Sequence, residues 1–187
     1  MQKLLLLSIL FLSSLFISAQ SVLGTWMSEK SLDKYLTEEN SFLADEEVKA
    51  PIFIEFGVND INVGVYLIGE EEGMHIELLI TIPGTYTQTD NLITTNLHKT
   101  KLTTKLVDFS TEDPELKSLL SSGDEAKELV LQMLESQLSE GFKEIGREYR
   151  KLAPIFSEFS VQFIPNNPDK MILISPSLKT VTLNRLQ

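Results

Sequence analysis

The sequence predicts a mainly β, antiparallel fold, either a closed barrel or a strongly curved meander sheet, with one long amphipathic helix inserted before the last strands. Two patterns carry that prediction. Short runs of alternating apolar and polar residues recur over 52–107 and again over 159–186, each bounded by turn-forming residues. Between them, over residues 124–152, the apolar spacing switches to three and four, the period of a helix.

The first residues have a different composition. Met1-Gln2-Lys3 supplies one positive charge, residues 4–16 are apolar except for three serines, and Ile17-Ser18-Ala19 ends the run with a small residue. This layout predicts a secretory signal peptide, residues 1–19, cut after Ala19. An uncleaved anchor is the rival, but the run falls short of the ~20 apolar residues that span a bilayer. No cysteine follows to carry a lipid, so the expected product is exported, with no membrane span, to the periplasm, cell surface or medium.

Of 187 residues, removal of 19 leaves 168, enough for a single domain over 20–187 with a sizeable core. Lys3 is the one charge removed, so the formal charge goes from −11 for the whole chain to −12. That sign disfavours nucleic acid and anionic membranes as partners. The chain has no cysteine, which removes disulfides, thiol nucleophiles and thiolate metal sites.

In chain order, Ile52, Ile54 and Phe56 alternate with Phe53 and Glu55, and Asn59-Asp60 suits a tight turn. Ile61, Val63, Val65 and Leu67 line the next strand, and the three glutamates of residues 69–73 form an expected polar loop. Met74, Ile76, Leu78, Ile80 and Ile82 follow, with Pro83-Gly84 expected to end that strand. Residues 85–88 and 91–97 flank a turn at Thr89-Asp90. Over 99–106, Thr100, Leu102, Thr104 and Leu106 alternate with three lysines, as in a strand with one solvated face.

The helical insertion is expected within 112–152. Its stripe is Leu131, Leu134, Leu138, Phe142, Ile145, Tyr149 and Leu152, opposite solvated columns of glutamate and lysine or arginine. Gly141 and Gly146 mark either a bend or close packing on the sheet. Pro154 is expected to close the helix, which serves as a fixed cover or, alternatively, a gating lid. Strands resume after it, with residues 165–169 as a hairpin loop. Within 31–39, Leu32, Tyr35 and Leu36 sit at helical spacing, as in a short segment across a barrel mouth or a surface turn.

Val22-Leu23-Gly24-Thr25-Trp26 resembles the Gly-x-Trp start of the lipocalins, and more closely the lipocalin-like domains of small secreted bacterial proteins. Gly84-Thr85-Tyr86-Thr87, residues 90–94 and the final Val181-Thr182-Leu183-Asn184-Arg185-Leu186 are similar to late strands of those domains. The resemblance implies a lipocalin-like barrel in which Trp26 and Arg185 form a structural pair at the closed end, with the indole serving as core. One departure stands out: lipocalins place the main helix after the last barrel strand, whereas here strands follow it.

Catalytic chemistry is sparse. His75 and His98 are the only histidines, no Gly-x-Ser-x-Gly occurs, and no triad is legible. His75 and Glu77 share a strand face and offer two metal ligands, but no third is legible, so a solvated face and no metal or other cofactor are expected. The acidic groups 38–39, 45–47 and 70–72 lack the layout of a calcium loop. The function expected is therefore a non-enzymatic, exported binding protein holding a small apolar or amphipathic ligand in its barrel. The alternative is a protein-interaction module whose barrel is filled by its own side chains; a hydrolase ranks third. Ligand-lining residues are not assignable from sequence.

Overall fold

The computed structural model describes residues 21–37, 49–71, 73–137 and 139–186; the proposed signal peptide and most of the acidic stretch after Thr37 lie outside them. Nine strands are formed: β1 Gly24–Ser31, β2 Pro51–Phe56, β3 Asp60–Glu71, β4 Met74–Thr89, β5 Leu92–Leu97, β6 Thr103–Thr111, β7 Glu158–Ile164, β8 Asn167–Ser175 and β9 Leu178–Arg185. Among the described residues the helical stretches α1 Pro114–Leu120, α2 Asp124–Gln137, α3 Ser139–Tyr149 and α4 Leu152–Ile155 connect β6 to β7.

All pairings are antiparallel, and eight strands close a barrel in the order β1, β2, β3, β4, β5, β7, β8, β9 and back to β1. Closure settles the choice between a barrel and an open curved sheet. Helices before the last strands are compatible with it because β6 stands outside the ring, paired only with the first half of β4. The chain leaves the barrel wall at β6, passes through the helices and rejoins the wall at β7 beside β5. Removing β6 and the helices leaves an up-and-down meander.

The period-2 pattern becomes the two faces of the wall. Val63 lies opposite Ile54 and Ile82, and Val65 opposite Ile52 and Ile80, all without solvent exposure. On the far side Val181 pairs with Leu173, and Leu183 with Met171, again with none exposed. These inward side chains meet one another and leave no surface to solvent, as in a packed protein interior. Phe56, Tyr86 and Phe159 pack edge-on or tilted at ring separations of 5.2 and 6.4 Å.

Four sequence expectations are corrected. Pro83-Gly84 does not end a strand; β4 runs through it for 16 residues. The pair sits where β4 changes partner, from β6 up to Thr81 to β5 from Gly84, so the missing proline N–H falls between two ladders. A side chain at position 84 would also collide with the Asn96 carbonyl oxygen at 2.5 Å. The expected acidic loop contracts to a tight hairpin in which Glu71 pairs with Met74 and Gly73 adopts φ +78°. The strand expected over 99–106 begins at Thr103, residues Lys99–Lys101 forming a 3-10 turn. Asn167 opens β8, leaving Pro165 and Asn166 as the turn, with Asn166 at φ +63°.

The insertion is interrupted by turns at residues 121–123, before α2, and 150–151, before α4. Asp113 caps α1 by accepting from the Glu115 and Leu116 N–H groups at 3.0 Å. In α2 and α3, Val130 and Phe142 are buried, whereas Ile145, assigned to the apolar stripe, is 36% exposed. Leu138 lies outside the described residues. Gly146 is the close-packing glycine: a Cβ there would lie 2.7 Å from Leu102 and 3.1 Å from Thr104 on β6. Gly141 faces open space. Pro154 lies inside α4 instead of beyond the helix. The helices also shield an exposed strand edge, since the Leu106 N–H of β6 donates to Glu135 of α2 at 3.1 Å.

Candidate functional site

Buried side chains lie toward both ends of β1. At one end Trp26 lies directly opposite Arg185 in the β1–β9 ladder. The indole is fully buried and donates from Nε1 to the Val22 carbonyl at 2.7 Å, and the Arg185 guanidinium sits 4.4 Å above its ring. Arg185 also donates to the carbonyls of Leu23 and Ser21. Gly24 makes room for it: φ is +112°, and a Cβ would approach the guanidinium to 2.9 Å. The structure thus brings together the two residues that the resemblance singled out.

At the opposite end the 3-10 turn Leu32–Lys34 follows directly on β1. Leu32, Tyr35 and Leu36 are buried, Leu32 N–H donates to Ala50, and Lys179 N–H donates to Tyr35 O at 2.7 Å. The segment is therefore part of the core and not a surface turn.

Space for a ligand lies outside the wall. A cleft of about 780 Å³ runs between the end of the β3–β4 hairpin, the second half of β6 and helices α1 and α2. That volume falls in the usual range for small-molecule sites, roughly 300–1,000 Å³. Met74, Phe109 and Leu120 supply apolar surface, Lys117 and Lys127 cationic groups, and Glu70 and Glu112 carboxylates.

His75 and Asp108 line this cleft, and they belong to a polar cluster on the outer face of the sheet. Because Leu67, Leu78 and Ile80 face the core, the alternate residues Tyr66, His75 and Glu77 face outward. Asp108 joins them through a β-bulge: Leu78 pairs with Leu106 but Glu77 pairs with Asp108, so Val107 is the extra residue. His75 Nε2 lies 3.0 Å from Glu77 Oε1, and Tyr66 donates its hydroxyl proton to Glu77 Oε2. His75 Nδ1 faces Glu70 at 3.7 Å. Lys127 Nζ lies 2.6 Å from Asp108 Oδ1, an ion pair that joins α2 to β6.

The electrostatics follow from these contacts. Lys127 holds the Asp108 carboxyl below the usual carboxylate range against the opposing effect of burial, and Asp108 raises the Lys127 ammonium in turn. Burial, reinforced by the bond to Glu77, pushes the Tyr66 hydroxyl well above its ordinary value. Tyr66 is thus a neutral donor at any physiological pH. Sequence reasoning paired His75 with Glu77 but missed Tyr66 and Asp108, whose approach depends on strand register and on one bulge. His98 stands apart, preceding the 3-10 turn Lys99–Lys101. No protein-family model and no curated protein matches the chain.

Proposed function

We propose that this is an exported, non-enzymatic binding protein whose small amphipathic ligand occupies the cleft between the β3–β4 hairpin, β6 and the α1–α2 pair. The observation that carries this reading is the contrast between the two candidate volumes. The inner face of the wall carries Ile, Val, Leu and Met side chains without solvent exposure. The external cleft offers about 780 Å³ lined by Met74, Phe109 and Leu120 together with side chains of both charge signs. Such a lining suits a molecule with an apolar body and a polar head. Export rests on the charge and apolar layout of residues 1–19.

Native mass spectrometry of protein purified without denaturation tests the reading. The expected result is a reproducible added mass of small-molecule size that disappears in Ser121→Trp, a substitution that fills the cleft from the exposed end of α1. Retention of the same mass by Ser121→Trp, or polypeptide alone in repeated preparations, counts against it. A second reading, a protein-interaction module, is favoured by the exposed Leu129 and Met133, one turn apart on α2 at 67% and 52% exposure. A second polypeptide chain in the native spectrum, lost in Leu129→Lys, would select it.

A further inference from the structure

We propose that His75, Glu77 and Asp108 form a binding site for a first-row divalent cation, best matched by Zn²⁺. The site requires no organic ligand in the cleft. One donor atom from each of the three residues lies within 4.8 Å of the others. The donors come from two adjacent strands: β4 presents His75 and Glu77 on one face, and the bulge at Val107 turns Asp108 onto that face opposite Glu77. In a regular ladder continuing from Leu106, position 107 would lie opposite Glu77 and Asp108 would point away.

A tetrahedral ion held at about 2.1 Å by three donors spaces them roughly 3.4 Å apart. The cluster therefore needs to close by at most about 1.4 Å, a movement within reach of carboxylate side-chain rotation. Two carboxylates and a neutral imidazole balance the charge of a dication. The mixture of nitrogen and oxygen donors favours zinc or a neighbouring metal over Mg²⁺ and Ca²⁺, which prefer oxygen alone.

The groups around the three ligands are arranged as supports. Tyr66 engages Glu77 Oε2, leaving Oε1 beside His75 Nε2. With Nε2 on the metal, the remaining imidazole proton resides on Nδ1, which faces the Glu70 carboxylate. Lys127 neutralises Asp108 in the absence of an ion. Its side chain is 43% exposed on the first turns of α2, so it can swing into solvent when a dication takes its place. The fourth coordination position is left to water on the cleft side.

Calorimetric titration of the purified, chelator-treated protein with ZnCl₂ tests the proposal. One saturable Zn²⁺ per chain is expected. His75→Ala and Asp108→Asn should each weaken binding at least tenfold, and Tyr66→Phe about tenfold as the loss of an outer-shell support. Lys127→Met should tighten binding, because it removes the competing ammonium, and His98→Ala should leave it unchanged. The Lys127→Met arm keeps the test decisive if Asp108→Asn folds poorly. Absence of saturable heat at millimolar Zn²⁺, an affinity that tracks His98 instead of His75, or weakening by Lys127→Met would overturn the proposal.

Discussion

Truncating Trp26 should cost this protein about 4 kcal/mol, and the loss should be coupled to Arg185. A buried tryptophan removes roughly 150–250 Å² from water, which at ~25 cal/mol per Å² is about 4–6 kcal/mol. That is an upper bound, because the unfolded chain already hides part of its apolar surface; Trp→Ala changes in cores run at ~3–5 kcal/mol. The truncation also leaves the buried Val22 carbonyl without its 2.7 Å donor. Arg185→Ala should cost less, about 2 kcal/mol, since the Leu23 and Ser21 carbonyls that it serves can turn to water. With the guanidinium 4.4 Å over the indole, the double mutant should fall short of the summed single losses by about 1 kcal/mol, within the cation–π range of ~0.5–2 kcal/mol. Urea unfolding at constant m-value is the assay. In heat, Trp26→Ala should lower Tm by ~8–16 °C for a domain of this size. Additivity to within ~0.5 kcal/mol, or a Trp26→Ala protein as stable as wild type, would refute the assignment of this pair as the brace of the barrel end.

Three further outcomes are expected. Gly141→Ala should stabilise by ~0.5–1 kcal/mol, because position 141 is helical and open, whereas Gly146→Leu should destabilise by ~1–3 kcal/mol through overpacking against Leu102 and Thr104; equal effects in chemical denaturation would show that α3 does not seat on β6. Lys170 holds the Glu29 carboxyl below its ordinary value, so Glu29 contributes stability at neutral pH that is lost as pH falls through its lowered folded-state pKa. Glu29→Gln should therefore lose less stability than wild type on acidification below about pH 4.5, measured by denaturant midpoint. Amino-terminal sequencing of exported protein should begin at Gln20, and a chain still beginning at Met1 would dismiss the signal peptide.

Much of the wall was legible because it obeys a local rule. Ile61, Val63 and Val65 alternate with residues turned away from the core, and the same two-residue period marks β2, β4 and β9. Local signals misled where tertiary context changed their meaning. Pro83-Gly84 carries the chemistry of a strand end, but the structure uses it as the junction between two neighbouring ladders. Ile145 keeps the helical spacing yet remains partly exposed, because α3 contacts β6 through Phe142 and Gly146. The polar cluster was only half visible: His75 and Glu77 share a face by spacing alone, while Asp108 reaches them through a register shift that no residue type announces. Likewise, the capping of the far barrel end by Leu36 depends on a bridge to Leu178, 142 positions along the chain.

With the inner face of the wall packed by its own side chains, the external cleft is the proposed binding compartment. Methyl-labelled protein titrated with anilinonaphthalene sulfonate, an amphipathic anion, reads both compartments at once by nuclear magnetic resonance. Saturable shifts are expected at the methyl groups of Met74 and Leu120, which line the cleft, while those of Ile52, Ile80 and Ile82, sealed in the core, should stay in place. Shifts concentrated at the three isoleucines, with Met74 and Leu120 unmoved, would contradict the account and return the ligand to the barrel interior.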